Sequence, residues 1–176
     1  MYYFFLGFFT GLSLILAIGA QNVFVIEQGL KRQFTFLVCF VCSLSDLILI
    51  FIGILIFSFF QNYFTPLIEL ILNILLIIFL INFIWKKWNE KINRISLANI
   101  KNAESKLSIF LKTLSFTYLN PHVYSDTIFF MGNFSKNFMF GDKILFGIGA
   151  SLASFSFFFL IGYLANYFSH YLNSIK

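Results

Sequence analysis

Apolar residues run along this chain in long unbroken stretches rather than in stripes. Five stretches stand out, at about 2–26, 34–60, 65–85, 109–131 and 144–168. Each exceeds the roughly 20 residues that a helix needs to cross the hydrocarbon core of a bilayer. A spanning segment must close its backbone hydrogen bonds within itself or within a barrel. Continuous apolar runs are not the alternating pattern of barrel strands. The pattern therefore predicts an all-α polytopic membrane protein, with five visible transmembrane helices in a single transmembrane domain spanning 1–176. A polar loop at 86–108 separates the third helix from the fourth. The first run reads as an uncleaved span, because no Lys or Arg precedes it and it is too long for the core of a signal peptide. Gly7 and Gly11 within it have a spacing that permits close helix approach. Pro66 opens the third run, where its missing N–H does no harm.

Composition agrees with the pattern. The 176 residues are 60% hydrophobic and 11% charged, with a mean hydropathy of +0.88. A soluble domain carries about 25% charged residues, so this chain cannot cover a water-facing surface. The same figures exclude disorder and a disulfide scaffold. The 28 Phe residues fit lipid-facing positions and imply no activity. The net charge of +5 invites a nucleic-acid reading, but its distribution argues for none. Lys86, Lys87, Lys91, Arg94, Lys101 and Lys106 crowd the central polar segment. With Lys31, Arg32, Lys112 and Lys176 they put ten cations on one side, against Lys136 and Lys143 on the other. The positive-inside rule then sets the central loop in the cytoplasm and the N-terminus outside.

Polar residues inside such runs need a reason to be there. Gly19-Ala20-Gln21-Asn22 interrupts the first run with a weak helix former and two amides. Lys31 and Arg32 lie about 14 Å further along by helical rise, which favours a buried break over a solvated helix end. Asn120-Pro121-His122 divides the fourth run. Asn is a strong N-cap and Pro suits the first helical position, so one half-helix ends here and another begins. Its new N-terminus suits an anion such as a carboxylate; the alternative is a simple Pro kink. Asp46 lies roughly 18 Å into the second span, where a charge costs about 2.5 kcal/mol or more on insertion scales. That suits a proton relay or a site for a cationic substrate, unless Ser43, Ser45 and neighbouring amides merely hold it for packing. Asp126 follows His122 by four residues and shares its helix face, unless it reaches the outer interface.

Other polar groups have plainer readings. Glu27 and Lys31 have the spacing of a surface pair, and Glu69 reads as reaching outward. Cys39 and Cys42 form C-x-x-C within an apolar helix, with no cation nearby to activate a thiol. No cofactor is called for, and no metal, since His122 has no second His or Cys at ligand spacing. There is also an internal echo. Asn22-Val23-Phe24 precedes Glu27, and His122-Val123-Tyr124 precedes Asp126. Interrupted helices in two halves point to an inverted-repeat transporter of three plus three helices with a midplane site. A sixth span would then be needed.

On these residues the chain resembles the lysine exporter (LysE) family, in its lysine/arginine branch. The first half carries Gly19-Ala20-Gln21-Asn22-Val23-Phe24-Val25, then Gln28-Gly29-Leu30 and Ser45-Asp46-Leu47. The second carries Leu119-Asn120-Pro121-His122-Val123-Tyr124 with Asp126-Thr127. The likeness covers essentially the whole chain. It implies a multi-pass exporter of the cytoplasmic (inner) membrane. The cargo would be a basic amino acid, lysine or arginine, moved against protons by the proton motive force. The threonine/homoserine branch has Pro-Gly-Pro and Asn-Pro-Lys elements, where this chain has Gly19-Ala20-Gln21 and Asn120-Pro121-His122. Family members end in a further hydrophobic span. A chain ending at Lys176 is then expected to be incomplete, an inactive remnant, or a short form that complements itself as a homo-oligomer. Besides the lipid bilayer, the partners are thus an amino acid and protons. The residues expected to hold the substrate or couple protons are Asp46, Asp126 and His122. Gly19, Gln21, Asn22, Asn120 and Pro121 bind substrate or break helices. The competing readings are export of another small amino acid or cation, and a membrane thiol oxidoreductase using Cys39 and Cys42.

Overall fold

The computed structural model describes residues 1–17, 19–60 and 105–173, together with helical positions 67, 70, 71, 74, 78 and 81. The rest of the expected third span, Glu69 included, and the polar segment up to 104 lie outside the described residues. The chain divides into two compact units, 1–58 with 103–176, and 59–102. Both helix breaks fall within the first unit.

Every regular element among the described residues is helical. In chain order these are α1 (Tyr2–Ile15), α2 (Ala20–Lys31), α3 (Thr35–Phe60), α4 (Lys106–Tyr118) and α5 (Pro121–Tyr124). A π-helical segment (Ser125–Phe130), α6 (Met131–Ser135) and α7 (Phe140–Asn173) follow. Among the described residues, two stretches are long and apolar enough to cross a bilayer as single helices, Thr35–Phe59 and Phe140–Ser169. The expected first span is bent instead: α1 and α2 meet at 80°, and α2 continues to Lys31. The expected fourth span is divided at Leu119–Asn120 into the 13 residues of α4 and the helical segment that starts at Pro121. The molecule is thus a helical membrane protein that shows, among the described residues, two long apolar helices and a bent pair.

Close helix contacts hold this unit together. A Cβ on Gly7 would run into the main chain of Phe146, and one on Gly11 would lie 3.0 Å from Ala150 Cα. The Gly-x-x-x-Gly spacing of α1 therefore seats it directly on the α7 backbone, the kind of approach that replaces the hydrophobic effect between helices in lipid. At the end of α2, Arg32 takes the left-handed conformation (φ 55°) and donates from Nε to Ser169 Oγ at 2.7 Å. This ties α2 to α7.

Two apolar clusters form around these contacts. One contains Phe24, Val38, Cys39, Cys42, Ile109 and Phe158. The other contains Ile50, Ile54, Met131, Phe146 and Ala150. On α3, Asp46 falls between Cys42 and Ile50; on α7, Ser154 falls between Ala150 and Phe158. A polar layer is therefore sandwiched between two apolar ones. On the outer faces, Phe36, Phe40, Ile48 and Ile52 of α3 and Leu152, Leu160 and Tyr163 of α7 are exposed, as lipid-facing positions would be.

Candidate functional site

A cavity of about 60 Å³ lies in that polar layer. Its walls include Gly19, Gln21 and Asn22 from the first break and Asn120, His122 and Asp126 from the second. Asp46 of α3 and Ser154 of α7 line it too, and apolar side chains such as Leu14, Ile50 and Met131 make up much of the rest. Seven of the eight residues singled out from the sequence thus meet in one place. The eighth, Pro121, stands beside its neighbours Asn120 and His122 as the first residue of α5.

The first break is built by Asn22. Its amide donates from Nδ2 to the carbonyl oxygens of Ile15 at 2.9 Å and Ala17 at 3.2 Å. Those carbonyls lie at the last residue of α1 and two residues beyond it, where the helix offers them no donor. Asn22 is therefore a staple across the bend, and its amide nitrogen is committed to structure. We expect Asn22→Ala to destabilise the protein by about 1–3 kcal/mol, the cost of stranding buried acceptors. The midpoint of thermal unfolding in detergent would read it, and an unchanged midpoint would contradict the role.

The second break is built by Asn120. Its Oδ1 accepts from the His122 N–H at 3.2 Å, and its carbonyl accepts from the Val123 N–H at 3.2 Å. Pro121 has no N–H. The first donors at this helix start are thus occupied. On the other side of the break, the Tyr124 hydroxyl donates to the Tyr118 carbonyl at 2.8 Å, closing one of the loose acceptors of α4.

The charged groups sit within reach of these breaks. Asp46 is 6% exposed, and its Oδ2 accepts from Ser154 Oγ at 2.7 Å. Ser43 instead donates back to the Cys39 carbonyl at 2.8 Å, so it is Ser154, far along the chain, that holds the carboxylate. Ser154 was not legible in the sequence: a Ser in an apolar helix usually bonds its own backbone, as Ser151 does to Gly147. His122 Nδ1 lies 3.3 Å from Asp126 Oδ1, and Ser125 Oγ donates to the same oxygen at 3.1 Å. Both residues lie at the start of the π-helical segment or just before it; such segments recur at functional sites.

The remaining candidates lie elsewhere. Cys39 and Cys42 are fully buried in the first apolar cluster, and the Cys39 thiol donates to the Phe158 carbonyl at 3.2 Å. Neither lines the cavity. Glu27 pairs with Lys31 at 2.6 Å. Among the described residues, no group of acidic, His and Cys side chains could hold a metal ion.

The chain matches the family described as LysE type translocator over residues 12–176. It is 33% identical over 173 residues to the arginine exporter protein ArgO of Pectobacterium carotovorum subsp. carotovorum, covering 96% of this chain and 83% of that protein. It is 32% identical over 170 residues to ArgO of Serratia proteamaculans, covering 96% and 82%. It is 33% identical over 172 residues to ArgO of Yersinia enterocolitica, covering 95% and 82%. No solved structure matches it.

Proposed function

We propose, from the premise that this chain belongs to the LysE type translocator family, that it exports arginine or lysine across the cytoplasmic membrane in exchange for protons. The observation that carries this reading is the gathering of Asp46, Asp126 and His122 around one cavity within apolar helices. Ionisable groups at membrane depth mark substrate and ion pathways. Two carboxylates suit a cargo with a cationic side chain, and carboxylates with an imidazole suit proton exchange. The names of the ArgO relatives support the same cargo class.

The cavity has room for a few water molecules but not for an amino acid. Transport therefore needs the helices around it to part first towards one side and then towards the other. Helices broken at Gly19 and Asn120 are suited to that, since each half moves about a defined joint. A proton from outside neutralises a carboxylate, weakens its hold on the cation, and is released inside as the site resets. In this reading the chain is one transmembrane domain with five spans and a central cytoplasmic loop. Its N-terminus lies outside, and its two broken helices belong to the two halves of an inverted repeat.

The test is efflux of labelled arginine and lysine from preloaded cells making this chain. The expected result is efflux that stops when the proton gradient is collapsed. Efflux indifferent to the gradient would remove the coupling, and no efflux of either amino acid by a correctly inserted protein would remove the cargo. The thiol reading makes the opposite demand on Cys39 and Cys42. We expect the double variant Cys39→Ser, Cys42→Ser to retain efflux within about twofold. Neither sulfur meets the cavity, and a hydroxyl in place of the Cys39 thiol can bond the same carbonyl.

A further inference from the structure

The cavity has two helix starts on its walls, and they differ in what they leave unbonded. At the second break the first donors are occupied by Asn120. At the first break no side chain occupies them. α2 is 12 residues long, its N-cap is Gly19, and no side chain caps it. Its first backbone bond runs from the Val23 N–H to the Gly19 carbonyl at 3.1 Å. The N–H groups of Ala20, Gln21 and Asn22 precede that bond and have no partner within the helix. The positive end of the helix dipole lies here as well. Beside it, Gln21 is 5% exposed, lines the cavity, and has its Nε2 buried with no hydrogen-bond partner. The Asp46 carboxylate is the neighbouring acceptor, but it is engaged by Ser154 Oγ and closes no hydrogen bond with this Nε2. A buried amide donor without a partner costs about 1–3 kcal/mol, so its presence calls for a ligand that accepts.

We infer that the N-terminus of α2 and the Gln21 amide form a carboxylate-binding subsite. It holds the α-carboxylate of the cargo, while Asp46 and Asp126 on the cavity walls face its cationic groups. The inference rests on the basic-amino-acid reading and adds to it the group that reads the carboxylate. It explains why a wall that carries two carboxylates would accept a zwitterion and not simply the most positive molecule available. Gly at position 19 fits the same role. A Ser, Thr, Asn or Asp there would supply its own oxygen to the uncapped N–H groups and so compete with the ligand.

The experiment compares binding of arginine with binding of its carboxamide, which keeps size, guanidinium and α-ammonium and loses only the negative charge. Purified protein of all 176 residues in lipid nanodiscs would be titrated with each by calorimetry. In the wild type, arginine is expected to bind about 10–100-fold more tightly, as a charge-assisted pair of hydrogen bonds implies. Electrostatics from the two aspartates alone would favour the carboxamide instead. Gly19→Asp tests the subsite directly. A Cβ at Gly19 meets Asn120 Nδ2 at 3.7 Å, an ordinary contact, and Asp is a strong N-cap, so the fold is retained while the uncapped N–H groups are taken. The preference for arginine should vanish in this variant, and Gln21→Glu should reverse it. Equal binding of the two ligands by the wild type would overturn the subsite and leave the cargo reading standing. So would an unchanged preference in Gly19→Asp. A wild type that binds neither ligand would remove the cargo reading and the subsite with it.

Discussion

Replacing Asp46 with Asn is expected to abolish export while leaving the protein inserted and folded. The side chain is 6% exposed in a polar layer between two apolar clusters, so little around it can replace the charge it loses. Removing one partner of a desolvated ion pair costs about 3–5 kcal/mol, which is a fall of about 100-fold or more in affinity for a cationic cargo. The loss of a titratable proton site compounds this for transport. The fold should survive, because an Asn amide oxygen still accepts from Ser154 Oγ, which now stands 2.7 Å from the carboxylate. Efflux of labelled arginine from preloaded cells, together with the amount of inserted protein, reads both effects. Wild-type efflux from the variant would strip Asp46 of any part in cargo or proton binding.

Replacing Gly7 with Val should have the largest effect on the fold itself. A Cβ at this position meets main-chain atoms of Phe146, which a side-chain rotation cannot move aside. α1 would have to lift off α7 along the seam where Gly11 also approaches Ala150. In lipid there is no water to drive the pair back together, so the lost van der Waals contact is not offset elsewhere. Overpacking of this kind costs roughly 3 kcal/mol, or roughly 10 °C in the unfolding midpoint. Gly141→Val is the control, since nothing lies within 4 Å of a Cβ there. Similar melting of the two variants in detergent would show that the seam does not hold the unit.

Much of this was visible without a structure. Apolar runs longer than a bilayer is thick leave a chain few options, so the helical membrane class follows from residue order alone. The two breaks were legible for a local reason: Gly19 and the Asn120-Pro121 pair act on their own backbone within a turn. The i,i+4 spacing of His122 and Asp126 likewise held through the start of the π-helical segment, at 3.3 Å. What local reasoning missed was the sharpness of the first break. Two helices at 80° need a donor for the carbonyls that α1 leaves open, and only the folded chain shows Asn22 in that role.

The sequence by itself determined the solvent, the helices, where two of them break, and which residues were too polar for their surroundings. The tertiary structure decided which of those groups are committed to holding the fold and which are left to a ligand. Asn22 and Asn120 are alike as amides beside a break, yet each bonds backbone, while Gln21 keeps an open donor. The reason is that hydrogen-bond satisfaction belongs to neighbours in space. Asp46 finds its partner 108 residues away, on α7. No period or spacing along the chain records that distance; packing α3 against α7 does.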